Sequence, residues 1–429
     1  MYRYNMFEIS IEVKRMLDKY KMLKTQKQFI KIMISNIVNR FGDAIDQIAF
    51  VWLVYEITHS ALWSTIIFGI NILPTICIQP FAGAFVERMK KRNIMVFCDI
   101  VRGLFVASIA FLYMNHLLTP WVLLVVTFLN STVEALRVPA GLSIVPQLLD
   151  DGYYEIGIAL NASMSRAMEL VGTGCAGFII AMFGIHSAIL LDAMTFFVSA
   201  IIISTIVYKE NHVHTSLTIK SYLITLKEGF VYICQSDTLI MICIIGALLN
   251  FTITPLNSLL PSYIDGVLNG NSETLSMLSV GLSVGSIIGS FSYPILFSHI
   301  SKRQLMIQSF TITGLFFLLI ILLPQYLPTL HATIIVMFLF MFVGIVTSVA
   351  ATYLSVYITS YVDSEYMART GGFFNACLTS CIPIASILMT IFLQFTHYLN
   401  IMLGTGVICL VIAIIIASYK KVYLLDKKE

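Results

Sequence analysis

Charge is what this sequence has least of: only 11% of its 429 residues are Asp, Glu, Lys or Arg, while 58% are hydrophobic. A soluble domain carries about a quarter charged residues, so most of these side chains must face lipid or one another. The net charge of +3 is too small to point to nucleic acid, and no nucleic-acid partner is expected. Cysteines stand at 77, 98, 175, 234, 243, 377, 381 and 409, almost all within apolar runs and never as CxxC. That usage argues against disulfides and zinc, and neither a metal nor a cofactor is expected. No G-x-x-x-x-G-K-[ST] loop occurs, which disfavours an ATP-driven pump. There is also no HxxxxD acyl-transfer motif and no soluble domain, which disfavours a membrane-bound enzyme, sensor or scaffold. His212 and His214 share the central hydrophilic stretch, where two histidines are normally just solvated.

What remains is a succession of long apolar runs. A hydrocarbon core of roughly 30 Å needs about 20 helical residues, and on that ruler twelve spans fit. They cover 29–57, 62–86, 93–114, 120–144, 156–183, 186–207, 237–264, 274–297, 304–324, 328–357, 368–396 and 398–419. The expected fold is an all-α integral membrane protein with two six-helix bundles, 29–207 and 237–419. Residues 208–236 form a cytoplasmic central loop with an amphipathic helix, 420–429 a cytoplasmic tail, and 1–28 a cytoplasmic extension without an apolar block of signal-peptide length. Part of that extension, 6–23, has the pattern of a basic helix on the inner leaflet or of a disordered tail.

Lys and Arg are retained on the cytoplasmic side of membranes. With both termini inside, the inner segments hold 22 of the 26 basic residues and the outer loops hold none. The remaining Arg40, Arg102, Arg137 and Arg166 fall within spans. Ionised groups at such depth are costly and are usually paired or facing water. Arg40 with Asp43, Asp99 with Arg102, Glu134 with Arg137, and Arg166 with Glu169 each stand three apart, on one helical face. Asp46 and Asp192 have no such neighbouring base. Asp46 shares a face with Asp43, and two carboxylates one turn apart in a low dielectric suit uptake and release of a proton. Alternatively, Arg40 bridges both as a structural clamp. Glu134, Arg137, Arg166 and Glu169 are expected either to couple and gate or to form permanent bridges, and Asp192 to be a hydrogen-bonded packing residue.

The second half is different, with few ionisable groups inside its spans. Its polar points are Asn257, Tyr263, Tyr293, Tyr353 and Asn375, and such a wall suits a bulky amphipathic molecule better than a sugar. Gly281, Gly285 and Gly289 recur every four residues, and Gly172, Gly174 and Gly177 cluster in the fifth span, as expected for close helix packing. Pro74, Pro80, Pro139, Pro146, Pro255, Pro294 and Pro383 are expected to bend or break helices.

The loop after the second span reads GAFVERMKKR, from Gly83 to Arg92, and resembles the major facilitator superfamily signature G-x-x-x-D-R-x-x-R-R. Gly83, Arg88 and Arg92 match, Lys91 is conservative, and Glu87 stands where the signature has aspartate. A degenerate copy ends in Lys302 and Arg303. NRFGDAIDQIAFVWLVYEITHSA, DIVRG from Asp99, VPAGLSIVPQLL and LDAMTFFVSA are similar to the drug-proton antiporter branch that includes macrolide and siderophore exporters. The G-P-x-x-x-G of many exporters is here Gly172, Thr173 and Gly177, without the proline. The resemblance implies the major facilitator fold, with helices 1, 2, 4 and 5 and their counterparts around a central cavity. It places Arg40, Asp43, Asp46, Glu134, Arg137, Arg166 and Glu169 at that cavity or its gates, and Asp99 and Arg102 as braces of the inner loop. It also implies proton-coupled efflux of an antibiotic, siderophore or similar amphipathic metabolite by a monomer in the bacterial inner membrane. Proton-coupled nutrient uptake is the alternative that the same residues allow.

Overall fold

The structure, a computed structural model, describes residues 25–418 except 79–80, 83–85, 87–88, 151–152, 208–226, 229, 298–300 and 363–366. Its long helices are α1 (Lys27–Thr58), α2 (Ala61–Cys77), α3 (Lys91–Met114), α4 (Pro120–Ile144), α5 (Tyr154–Phe183), α6 (Ile185–Ser204), α7 (Asp237–Leu268), α8 (Ser272–Phe297), α9 (Lys302–Leu322), α10 (Thr329–Tyr361), α11 (Met367–Phe392) and α12 (Tyr398–Ser418). Among the described residues, ten of these are long and apolar enough to cross a membrane. The other two are α2, which has 17 residues, and α1, whose stretch carries Lys27, Lys31, Arg40, Asp43, Asp46 and Glu56.

Local chemistry sets the helix ends. Thr119 accepts from Val122 N and Pro120 sits at the first turn of α4, where its missing N–H is not needed. Ser301 and Gln304 close a capping box on α9. His59 and Asn269, both with left-handed backbone, end α1 and α7, each 32 residues long. Pro74, Pro139, Pro255 and Pro383 lie inside continuous helices rather than breaking them. Pro146 opens a short 3-10 turn after α4. The described part of the central loop is helical at 227–228 and 230–234. The remainder of that amphipathic stretch, His212, His214, Pro80, the extension 6–23, and Gly83, Glu87 and Arg88 of the loop motif lie outside the described residues.

Within the first six helices, α1 packs on α5 and α6, α3 on α4 and α6, and α2 on α4. Six helices later the pattern recurs: α7 on α11 and α12, α9 on α10 and α12, and α8 on α10. Two seams join the sets, α2 with α11 and α5 with α8. Gly281, Gly285 and Gly289 let α8 lie against the Met337, Met341 and Ile345 backbone of α10, with no room for a side chain between. Gly177 does the same for α5 against Glu273 and Ser276 of α8, and Gly172 brings α5 onto Phe41 of α1, whereas Gly174 meets only Val280 at ordinary contact distance.

The apolar core shows where the two sets close. One continuous cluster contains Leu53, Ile67 and Ile180 from the first set and Leu256, Leu260 and Phe340 from the second. It lies toward the end away from the chain termini. Toward the terminal end the core divides: Phe29, Ile94, Ile144 and Ile203 cluster in the first set, and Leu239, Met306, Leu354 and Ile412 in the second. Hydrogen bonds between the sets, Tyr55 to Asp265, Thr65 with Thr390, and Ser276 to Thr173 O, sit on the joined side.

Candidate functional site

The first set carries a polar stripe through its middle. On α1 the residues Ser35, Asn39, Asp43 and Asp46 follow helical spacing, and α6 answers with Asp192, Thr195 and Ser199. Ser199 Oγ donates to Asp99 Oδ2 at 2.5 Å and lies 2.7 Å from Ser35 Oγ. The Asn39 amide, oriented by its neighbours, accepts from Arg137 Nη2 at 2.7 Å and donates to Thr195 O at 3.3 Å. Asp192 is buried against α1 and accepts from Thr195 Oγ1 at 3.2 Å.

The charges meet across helices rather than along them. Arg137 Nε donates to Asp99 Oδ1 at 2.7 Å, and Arg102 Nη2 lies 3.4 Å from Glu134 Oε2 and 3.5 Å from Asp43 Oδ1. The reason is directional. Antiparallel α3 and α4 both carry acid-x-x-Arg, so each acid stands level with the arginine of the facing helix, and a cross-helix pair also ties two helices together. Of the four pairs expected within single helices, only Arg166 with Glu169 forms, at 3.0 Å. Arg102 is buried, its guanidinium 4.3 Å from the centre of the Phe196 ring. This corrects its expected place at the inner loop: it is a wall residue deep in the first set. Of the loop motif itself, Lys91 is buried at the start of α3, and Arg92 donates to Ile206 O at 3.0 Å, tying α3 to the end of α6.

Two cavities border this cluster and a further one lies beyond it. The first, ≈ 1190 Å³ with its mouth included, is lined by Arg40, Asp43, Asp46, Arg102, Thr127, Asn130 and Glu134, and reaches Asn257 and Ser258 of α7. A second, ≈ 1330 Å³, lies toward the terminal end between α1, α4 and α5, with Asn36, Arg40, Arg137, Asn161, Arg166 and Glu169 in its wall. The third, ≈ 780 Å³, opens between the sets. Its second-set wall is mostly apolar, with Leu256, Leu260, Leu275, Leu282 and Phe340 beside Asn257, Ser279 and Ser283. Arg40, Asp43, Arg102 and Glu134 border both of the first two cavities, so the ion cluster is the partition between them.

Two charged groups stand outside the network. Asp46 lines the first cavity and makes no hydrogen bond or ion pair with any described residue. Arg40 is exposed in both cavities and likewise has no ion pair with a described residue, because its expected partner Asp43 faces Arg102. Among the expected polar points of the second set, only Asn257 reaches these cavities. Tyr263 is buried and donates to Ile320 O at 2.6 Å, Tyr353 and Tyr293 belong to the second-set core, and Asn375 is exposed on α11. The hydroxyls and amides of the polar stripe were missed from sequence, although small polar residues recurring every three or four positions in α1 and α6 were the available signal.

This fold, two similarly packed six-helix sets, is shared with solved membrane transporters. A solved structure of a mutant nucleoside transporter NupG superposes with TM-score 0.73 at 12% identity, covering 91% of this chain and 99% of that one. Macrolide efflux protein A of Streptococcus pyogenes is 23% identical over 310 residues, 70% of this chain and 75% of that protein. The multidrug efflux pump Tap of Mycolicibacterium fortuitum is 24% identical over 295 residues, covering 66% and 70%. Residues 23–428 match the model of the transmembrane secretion effectors, and the chain belongs to that family of the major facilitator superfamily. It is a multi-pass membrane transporter, not an enzyme.

Proposed function

We propose that the chain exports an amphipathic small molecule, driven by proton entry, by rocking its two helix sets about the central cavities. All twelve helices cross the bilayer in this reading, with 29–207 and 237–419 as the two bundles and both termini in the cytoplasm. The conformation described is then open to the cytoplasm. The efflux named in both relatives supports the direction, and the mostly apolar second-set wall supports the substrate class.

Asp46 carries the proposal. A carboxyl facing a cavity at membrane depth, with no partner among the described residues, is free to exchange a proton. Asp43, one turn away, is engaged with Arg102, so protonation of Asp46 can be relayed into the ion cluster without breaking a bond of its own. Everted membrane vesicles with an acidified lumen test this, challenged with macrolides, cationic dyes and metal-chelating metabolites. Wild-type protein should accumulate a substrate and dissipate the pH gradient as it does so. Asp46→Asn should reach the membrane in normal amount and lose gradient-driven accumulation; undiminished accumulation would refute proton coupling at this residue.

A further inference from the structure

Four arginines line the cavity toward the terminal end, and three have an acid within ion-pair distance. Arg102 holds Asp43 and Glu134, Arg137 holds Asp99, and Arg166 holds Glu169. Arg40 is the exception among the described residues. It lies nine residues beyond Lys31, about 14 Å of helix rise, and is exposed to the cavities while Asp43, one turn away, faces Arg102, so its guanidinium is accessible to a ligand. Donors gather beside it. Asn36, one turn earlier on α1, gives an amide hydrogen to Asn161 Oδ1 at 3.2 Å, which turns the Asn161 amide nitrogen away from that bond, and both amides line the same cavity as Arg40.

We propose that Arg40, with the Asn161 amide, is a subsite for the carboxylate of an amphipathic monoanion. A planar guanidinium fork fits a carboxylate through two parallel hydrogen bonds, and one guanidinium without an ion pair matches one carboxylate. Arg40 also borders the first cavity, which shares Gln47, Val51, Phe68 and Asn257 with the apolar cavity between the sets. A ligand held there by its acid can therefore lay its apolar body toward Leu256 and Phe340. Asp46 is absent from the wall of the terminal-end cavity but shares the first cavity with Arg40, so the anion site and the proton site are different residues on one cavity wall. The inference rests on the amphipathic-substrate reading but needs no proton gradient.

Equilibrium binding to the purified full-length protein in nanodiscs tests it with three probes of one apolar body: 1-naphthylacetate, the neutral 1-naphthylacetamide and 1-naphthylmethylammonium. The acid should bind wild type about tenfold more tightly than the amide, the magnitude of one charge-assisted pair, and more tightly than the cation. Arg40→Gln should erase the difference by weakening the acid alone, and Arg40→Lys should retain part of it. A wild type that shows no preference for the acid overturns the subsite, and so does an Arg40→Gln protein of unchanged preference. Because these titrations are run without a pH gradient, their failure is separable from a failure of the Asp46→Asn transport experiment.

Discussion

Arg102→Met is expected to destabilise the protein by about 2–3 kcal/mol, below the loss for a fully buried ion pair because the two acids left behind are partly exposed. The Arg102 side chain is only 8% exposed and lies between Asp43 and Glu134, which are 28% and 39% exposed. Without it, two carboxylates share a small volume with no base between them. Arg102→Lys should fall between, since an ammonium is a point charge and cannot reproduce the spread of a guanidinium over two acids and the Phe196 face. The informative companion is the triple variant Arg102→Met, Asp43→Asn, Glu134→Gln. It removes the whole charge set, and neutral replacement of a buried network often restores stability. Thermal unfolding of detergent-solubilised protein, read by fluorescence-detected gel filtration, should rank wild type and triple variant above the single one. A single variant as stable as wild type would show that the cluster contributes nothing to folding.

The second large effect is steric. Gly285→Val places branched carbons on the Met341 backbone, which cannot yield as a side chain would. Forcing α8 off α10 along a seam shared with Gly281 and Gly289 should cost about 3 kcal/mol, the upper part of the range for overpacking. Two controls separate fit from helix propensity. Gly404→Ala meets nothing within 4 Å and Gly174→Ala meets only Val280 Cγ2 at 3.7 Å. Both should be neutral or slightly stabilising, because alanine favours a helix by up to about 1 kcal/mol over glycine. If Gly285→Val unfolds at the same temperature as Gly404→Ala, the close seam is not a determinant of stability.

Sequence reveals the helices of this protein far better than their partners. Apolar length alone placed the fourth span at 120–144, and the helix observed is Pro120–Ile144, its start set by Thr119 and Pro120. For the second span the apolar run suggested 62–86; the continuous helix is Ala61–Cys77, and 81–82 and 86 are helical among the described residues beyond it. The charges show a different limit. Spacing of three put Asp99 with Arg102, and Glu134 with Arg137, on common faces. It could not say that antiparallel neighbours would exchange partners, since that depends on the relative height of two helices rather than on the order of residues in either. Arg40 lacks an ion pair with a described residue for the same reason: the base that takes Asp43 comes from another helix. The tyrosines of the second set failed differently, because an apolar ring with one hydroxyl serves equally in a cavity wall and in a core with a carbonyl nearby, as Tyr263 shows.

The contacts that join the two helix sets have a bearing on the medium the protein meets. The described ion pairs all lie within the first set. The joined end, which faces outward in the proposed orientation, is held mostly by aliphatic packing and by hydroxyl contacts such as Thr65 with Thr390, with one bond to a carboxylate, Tyr55 to Asp265. Dissolved electrolyte weakens interactions between exposed charges beyond about 10 Å at 0.1 M, but it has little hold on methyl groups or neutral hydroxyls. Cross-linking of Thr65→Cys with Thr390→Cys should therefore proceed equally well in dilute buffer and in molar sodium chloride. In the proposed orientation, most of the outer closure is then indifferent to external salt.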